Sequence, residues 1–166
     1  MNGDKATVIT PTNFSSGTHD EWKAINNYIV NNPAKTVELN WGGTGGDVAM
    51  GAETLRAIRQ AQKQGKTVTT KLVDDAGSMH ALVTCYAPPV NRNDQKALIF
   101  HADAITVGGQ EFRFSKDKSM IKEEMNMCVK AGILSPQMVD KIYSGYVAKV
   151  YKTHTEYEKD QRRPME

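Results

Sequence analysis

The chain has 166 residues, 39% of them hydrophobic and 24% charged, with 21 basic and 19 acidic side chains and a formal net charge of +2. That length fits one domain able to bury its own core, and the near balance of charge excludes nucleic acid or an anionic membrane surface as a partner chosen by charge. No apolar run approaches the roughly 20 residues of a membrane span, and "MNGDKATVIT" lacks the order of a secretory leader.

In chain order, "KATVIT" predicts a strand. "THDEWKAINNYIVNN" predicts a helix with Thr18 as N-cap and Trp22, Ile25 and Ile29 on one face. "KTVELNW" alternates as a strand does and is broken by "GGTGG" (Gly42 to Gly46). A helix follows with Val48, Leu55 and Ile58 inward and Gly65 as its C-cap. "KTVTTKLV" is a strand, and after "DAGSM" a short buried helix runs from Ser78 to Ala87. "ALIFH" is a strand leading to a hairpin that turns at Gly108-Gly109. "SKDKSMIKEEMNMCVKAG" reads as a long helix with Ile121, Met125, Cys128 and Val129 inward. Ser135 and Pro136 start the next helix, Gly145 ends it, and "AKVYKT" is a strand. Residues 1–157 form the single domain, and 158–166 read as a charged, disordered tail. Cys85 and Cys128 lack CxxC spacing and read as two buried thiols of a reducing cytoplasm. Repeated strand–helix units predict an α/β fold with a largely parallel sheet.

Two glycine-bearing corners stand where strands meet helices, "GGTGG" and "DAGSM". Glycine lets backbone amides approach a ligand, and the first amides of a helix have no partner within it. Two such amides, from Gly46 and Met79, can stabilise an oxyanion, with Ser78 as the attacking group. A serine at a helix start is otherwise an N-cap. "GGTGG" is neither GxGxxG nor followed by GK[ST], and "AGSMH" is not GxSxG, so the nucleotide-loop and hydrolase-elbow motifs both fail.

Taken in order, "GGDVAMGAETLRAIRQAQKQGKTVTT", "AGSMHALVTCYA" and "ALIFH" resemble the ClpP-type serine peptidases of the ClpP/crotonase superfamily. The resemblance runs from about Thr36 to His101. It implies repeated β-β-α units with a helical handle, Gly45 and Gly46 as the oxyanion loop, Ser78 as nucleophile, Met79 as the second amide and His101 as general base. A serine needs a base in place to accept its proton, and histidine titrates in the useful range. His19, His80 and His154 read as incidental, with His80 close enough to Ser78 to crowd it. The family's third member is an aspartate, but the matching place holds Lys149 or Ala148. Asp103 and Asp140 are the candidate orienting acids, and Lys149 as a base would need strong desolvation.

The resemblance further implies a peptide or protein substrate, a homo-oligomeric ring, an unfoldase partner, and a hairpin that holds substrate by strand addition. It implies no cofactor and no metal. The compact chain, without the family's C-terminal ending, is similar to phage- or prophage-type members working in a host cytoplasm. Two other readings stay open. One is a catalytically inactive ClpP-like assembly protein; the other is a crotonase-like acyl-CoA enzyme using the same pair of amides.

Overall fold

A computed structural model describes residues 4–165. Four strands, β1 (Lys5–Ile9), β2 (Thr36–Gly43), β3 (Thr67–Gly77) and β4 (Leu98–Phe100), run parallel in that order. Parallel neighbours need crossovers. These are α1 (His19–Asn31), α2 (Val48–Lys63) and α3 (Met79–Thr84) with the loop after it. The sheet continues antiparallel through β7 (Tyr146–Val150) and β8 (Thr155–Lys159), making six strands in all. The fold is thus mixed α/β. β2 is buried along most of its length, as a strand covered on both faces must be. Val37, Leu39, Trp41, Ile58, Val83, Leu98, Phe100 and Ile142 lie in the hydrophobic core.

Beyond β4 the chain forms a hairpin, β5 (Ala104–Val107) and β6 (Gln110–Arg113), turning at Gly108 and Gly109 as their spacing predicts. Both glycines have positive φ, 58° and 79°, which suits a two-residue hairpin turn. Two helices, α4 (Lys122–Lys130) and α5 (Pro136–Tyr143), lead back to β7. Ser135 caps α5 by accepting from the Met138 amide.

Four expectations need correction. The helix expected over residues 115–132 is confined to α4, preceded by a single turn at Lys116–Lys118. Asp103 accepts bonds from Ser119 Oγ and the Met120 amide, and these tie the intervening segment down before the helix can start. The helix after Ser78 is likewise shorter than expected, stopping at Thr84. Cys85 and Cys128 are bonded as a disulfide across 43 residues rather than free, because the end of α3 and α4 bring their Cα atoms within 4.9 Å. The stretch from residue 158, expected to be disordered, is ordered as far as Met165. It completes β8 and then pairs β9 (Arg163–Pro164) with β6. Within it Arg162 pairs with Asp160, and Glu158 pairs with Lys149 on β7, contacts that composition alone does not show.

The register positions the chemistry. Gly77 lies opposite Ile99, so Ser78 and His101 leave the carboxyl ends of neighbouring parallel strands, where ligands collect in such sheets. β2 and β3 lose regular pairing between Trp41 and Gly43, and this irregularity carries the glycine loop over the end of β3.

Candidate active site

Ser78 sits at the corner between β3 and α3 with φ 55° and ψ −124°, the one non-glycine residue with positive φ among the described residues. Such a conformation costs about 1–3 kcal/mol and persists only where its surroundings impose it. Here the Ser78 amide donates to the Ile99 carbonyl at 2.9 Å, and the Ser78 carbonyl accepts from the Leu82 amide at 3.1 Å. β4 fixes one side of the residue and the first turn of a wholly buried helix fixes the other. The hydroxyl does not cap the helix, so the ordinary reason for a serine at this place is absent. Ser78 therefore occupies a sharp strand-to-helix turn of the kind that presents a nucleophile, without the GxSxG sequence.

The glycine loop lies directly against this corner. A Cβ on Gly45 would fall 2.4 Å from Ser78 Cβ and 2.9 Å from both Ser78 Oγ and the Met79 nitrogen. No side chain fits there. The amides of Gly46 and Met79 donate to no backbone acceptor among the described residues. Gly46 and Met79 line one cavity of about 320 Å³ together with Ser78, His101, Leu82 and Phe100.

His80 is not incidental, and it does not crowd the serine. It is fully buried beneath the loop. The Gly45 amide donates to its Nδ1 at 3.0 Å, so its proton resides on Nε2, which faces the Pro11 carbonyl at 3.1 Å. Phe14 and Trp41 flank the ring, with centroids 4.8 and 4.9 Å away. Burial lowers its pKa from 6.5 to about 4, and the Pro11 bond only partly opposes this. An unfolded chain therefore takes up a proton near pH 6.5 that the folded chain resists until about pH 4. Stability is full above the upper value and falls as pH drops toward the lower one, by up to roughly 3 kcal/mol. Urea unfolding at pH 7.5 and 4.5 is expected to show this loss, and His80→Gln should flatten it. Parallel losses in both proteins would contradict a buried neutral His80.

His101 follows β4 and is half-buried. Its Nδ1 lies 2.8 Å from the Ala102 carbonyl oxygen and 3.1 Å from Arg162 Nη2. Burial pushes its pKa below the ordinary value; the Ala102 carbonyl opposes the shift and the Arg162 charge adds to it. His101 is therefore a neutral ring at neutral pH, the state a general base needs. Ser78 Oγ has no hydrogen-bond partner among the described residues, and what joins it to His101 is the cavity wall they share. Such bonds often tighten only when substrate is present.

None of the expected orienting groups reaches His101. Asp103 is turned to Ser119 and Met120. Asp140 pairs with Lys116 at 2.8 Å on the surface. Lys149 does lie on β7, level with Ile99, but it pairs with Glu158 at 2.6 Å, and that bond raises its pKa rather than freeing a base. The groups behind His101 are instead Arg162 and Asp160, from the stretch read as tail. The one sequence signal for them was the Asp-x-Arg spacing, set in a charged run that reads as solvated.

Among the described residues no group of three or more His, Cys, Asp or Glu is placed to hold a metal ion, and no helix is long and apolar enough to cross a membrane. The chain matches none of the protein-family models and none of the curated proteins it was compared with.

Proposed function

We propose that this chain is a serine endopeptidase of the ClpP type, working through an acyl-enzyme. The observation that carries the reading is the strained, uncapping Ser78, set against two unpartnered amides and sharing a cavity with a neutral histidine. Ser78 Oγ attacks the carbonyl carbon of a peptide bond while its proton passes to His101 Nε2. The carbonyl oxygen becomes an anion held by the Gly46 and Met79 amides. His101 then gives the proton to the departing amine, and the C–N bond breaks. Water enters, loses a proton to His101, and hydrolyses the ester, returning Ser78 to its hydroxyl form.

The strand–helix alternation, and a hairpin directly after His101, support the ClpP/crotonase-like arrangement, in which the chain would assemble as a homo-oligomeric ring. Ile105 and Val107 are exposed on β5 and offer apolar surface to a substrate strand or a second copy. Strand addition would use the outer edge of β5, since β6 is already paired with β9.

A second reading, an inactive assembly protein of the same fold, is favoured by one observation: a cation rather than a carboxylate stands behind His101. One experiment separates the two. The native protein is incubated with a mixture of unstructured polypeptides, and new N-termini are read by mass spectrometry. The peptidase reading expects new termini that Ser78→Ala eliminates; an equal background from both proteins would favour assembly.

A further inference from the structure

Asp160 and Arg162 form a fork. Arg162 Nε donates to Asp160 Oδ1 at 3.0 Å and Nη2 donates to Asp160 Oδ2 at 2.7 Å. The pair is shielded, with side-chain exposures of 17% for Arg162 and 3% for Asp160, so solvent does little to screen it. The backbone holds it in place as well: the Asp160 amide donates to the Gly145 carbonyl, and Arg113 donates to the Arg162 carbonyl. Burial alone would raise the pKa of Asp160, but the bonds and charge of Arg162 outweigh it and hold the carboxyl below its ordinary value.

Arg162 Nη2 carries two hydrogens. Its two shorter contacts are Asp160 Oδ2 and, at 2.6 Å, the Ala102 carbonyl. With both hydrogens engaged at these shorter distances, His101 Nδ1 at 3.1 Å is their poorest acceptor. The Ala102 carbonyl, 2.8 Å from that nitrogen, can only accept, so this contact is a hydrogen bond when Nδ1 carries a proton. The lone pair is left on Nε2. This is the tautomer that an aspartate ordinarily enforces.

We infer that Arg162, fixed by Asp160, is a positioning residue for His101: it anchors the Ala102 carbonyl, which in place of a carboxylate holds the ring with Nδ1 protonated and Nε2 free. The inference rests on His101 being the base for Ser78. It carries a cost, because a cation near the ring disfavours the imidazolium formed during acylation. The compensation is a ring that stays neutral, and so able to accept a proton, at lower pH than an aspartate-backed one. The charged groups around His101 are Arg162 and Asp160 after β8 and Glu111 on β6. Asp74 and Asp75 line a second cavity that reaches it, while Asp103 is turned away. Without Arg162 the remaining neighbours are all acidic.

The test is a 15N NMR titration of the imidazoles in the full chain, together with the pH profile of peptide hydrolysis. Wild-type His101 is expected to be the Nδ1–H tautomer at pH 7. Arg162→Gln should raise its pKa by about one unit or more, move the acid limb of kcat/KM up with it, and lower kcat about tenfold with KM little changed. Arg162→Lys keeps the charge without the fork, so the acid limb should stay near wild type while kcat stays low. Because Arg162→Gln leaves Asp160 buried and unpaired, the double variant with Asp160→Asn repeats the titration in a protein without that burden. An Nε2–H tautomer in the wild type, or a His101 pKa unmoved in both the single and the double variant, would overturn the inference. If tautomer and pKa behave as expected while no peptide is cleaved, the positioning of His101 stands and the peptidase reading falls.

Discussion

Ser78→Ala and His101→Ala are each expected to lower peptide hydrolysis about a thousandfold, with the double variant no worse than either single one. A general base contributes about 10²–10⁴, and members of one catalytic unit are not additive. The loss should be smaller than in a peptidase with a carboxylate-backed histidine, because the wild type here starts without that support. Ser78→Gly provides the companion result. Glycine accepts φ 55° without strain, so this variant should be as inactive as Ser78→Ala yet more stable than the wild type by roughly 1 kcal/mol. A strained serine kept for its hydroxyl predicts that trade; a serine kept for folding predicts a loss of stability instead. Additive rate losses in the double variant would mean that the two residues act separately.

The second large effect concerns the glycine loop. Gly45→Ala places a methyl group 2.4 Å from Ser78 Cβ, on a backbone whose φ of 85° already disfavours a side chain. Either the loop or the serine must move, and in both cases the Gly46 amide leaves its place. Gly46→Pro removes that amide outright and cannot keep φ at 133°, so the loop shifts as well. Gly46→Ala would be mild at a negative φ, but with φ at 133° and the Phe14 carbonyl oxygen 2.1 Å from the new Cβ it joins the damaging group. Loss of one oxyanion donor costs about 10²–10³ in kcat, and all three variants are expected to fall at least that far. Circular dichroism and native mass must stay unchanged for the comparison to count. A folded Gly46→Pro variant with normal turnover would move the oxyanion hole elsewhere.

What the sequence revealed followed physical range. The alternation of "KTVELNW" with a helical repeat, and the glycine pairs at 45–46 and 108–109, are local signals, and the elements appear where those signals point. Ser78 and His101 were singled out by resemblance, and the structure places them just past the ends of neighbouring parallel strands. The strain at Ser78 was not legible. It arises from the pairing of β3 with β4 together with the burial of α3, not from the residues on either side of it. His80 was misread because its partners, Gly45 and Pro11, are distant in sequence. The Cys85–Cys128 bond escaped for the same reason. Arg162 and Asp160 were hidden by composition: a run of charges reads as solvated unless a backbone bond such as Asp160 to Gly145 draws it inward. Asp103 and Asp140 were the acids expected to orient His101, the family's own place being held by Lys149 or Ala148, whereas the groups that reach the ring, Arg162 and Asp160, come from beyond β8.

The central claim is that Ser78 is an activated nucleophile, and a fluorophosphonate tests it without knowledge of the substrate. The native protein is treated with the reagent at pH 7.5, and the adduct is located by peptide mapping. A single adduct on Ser78, abolished in Ser78→Ala and slowed about a thousandfold in His101→Ala, is the predicted result. Native, folded protein that carries no adduct, or carries one on another residue at the same rate in all three proteins, would contradict it.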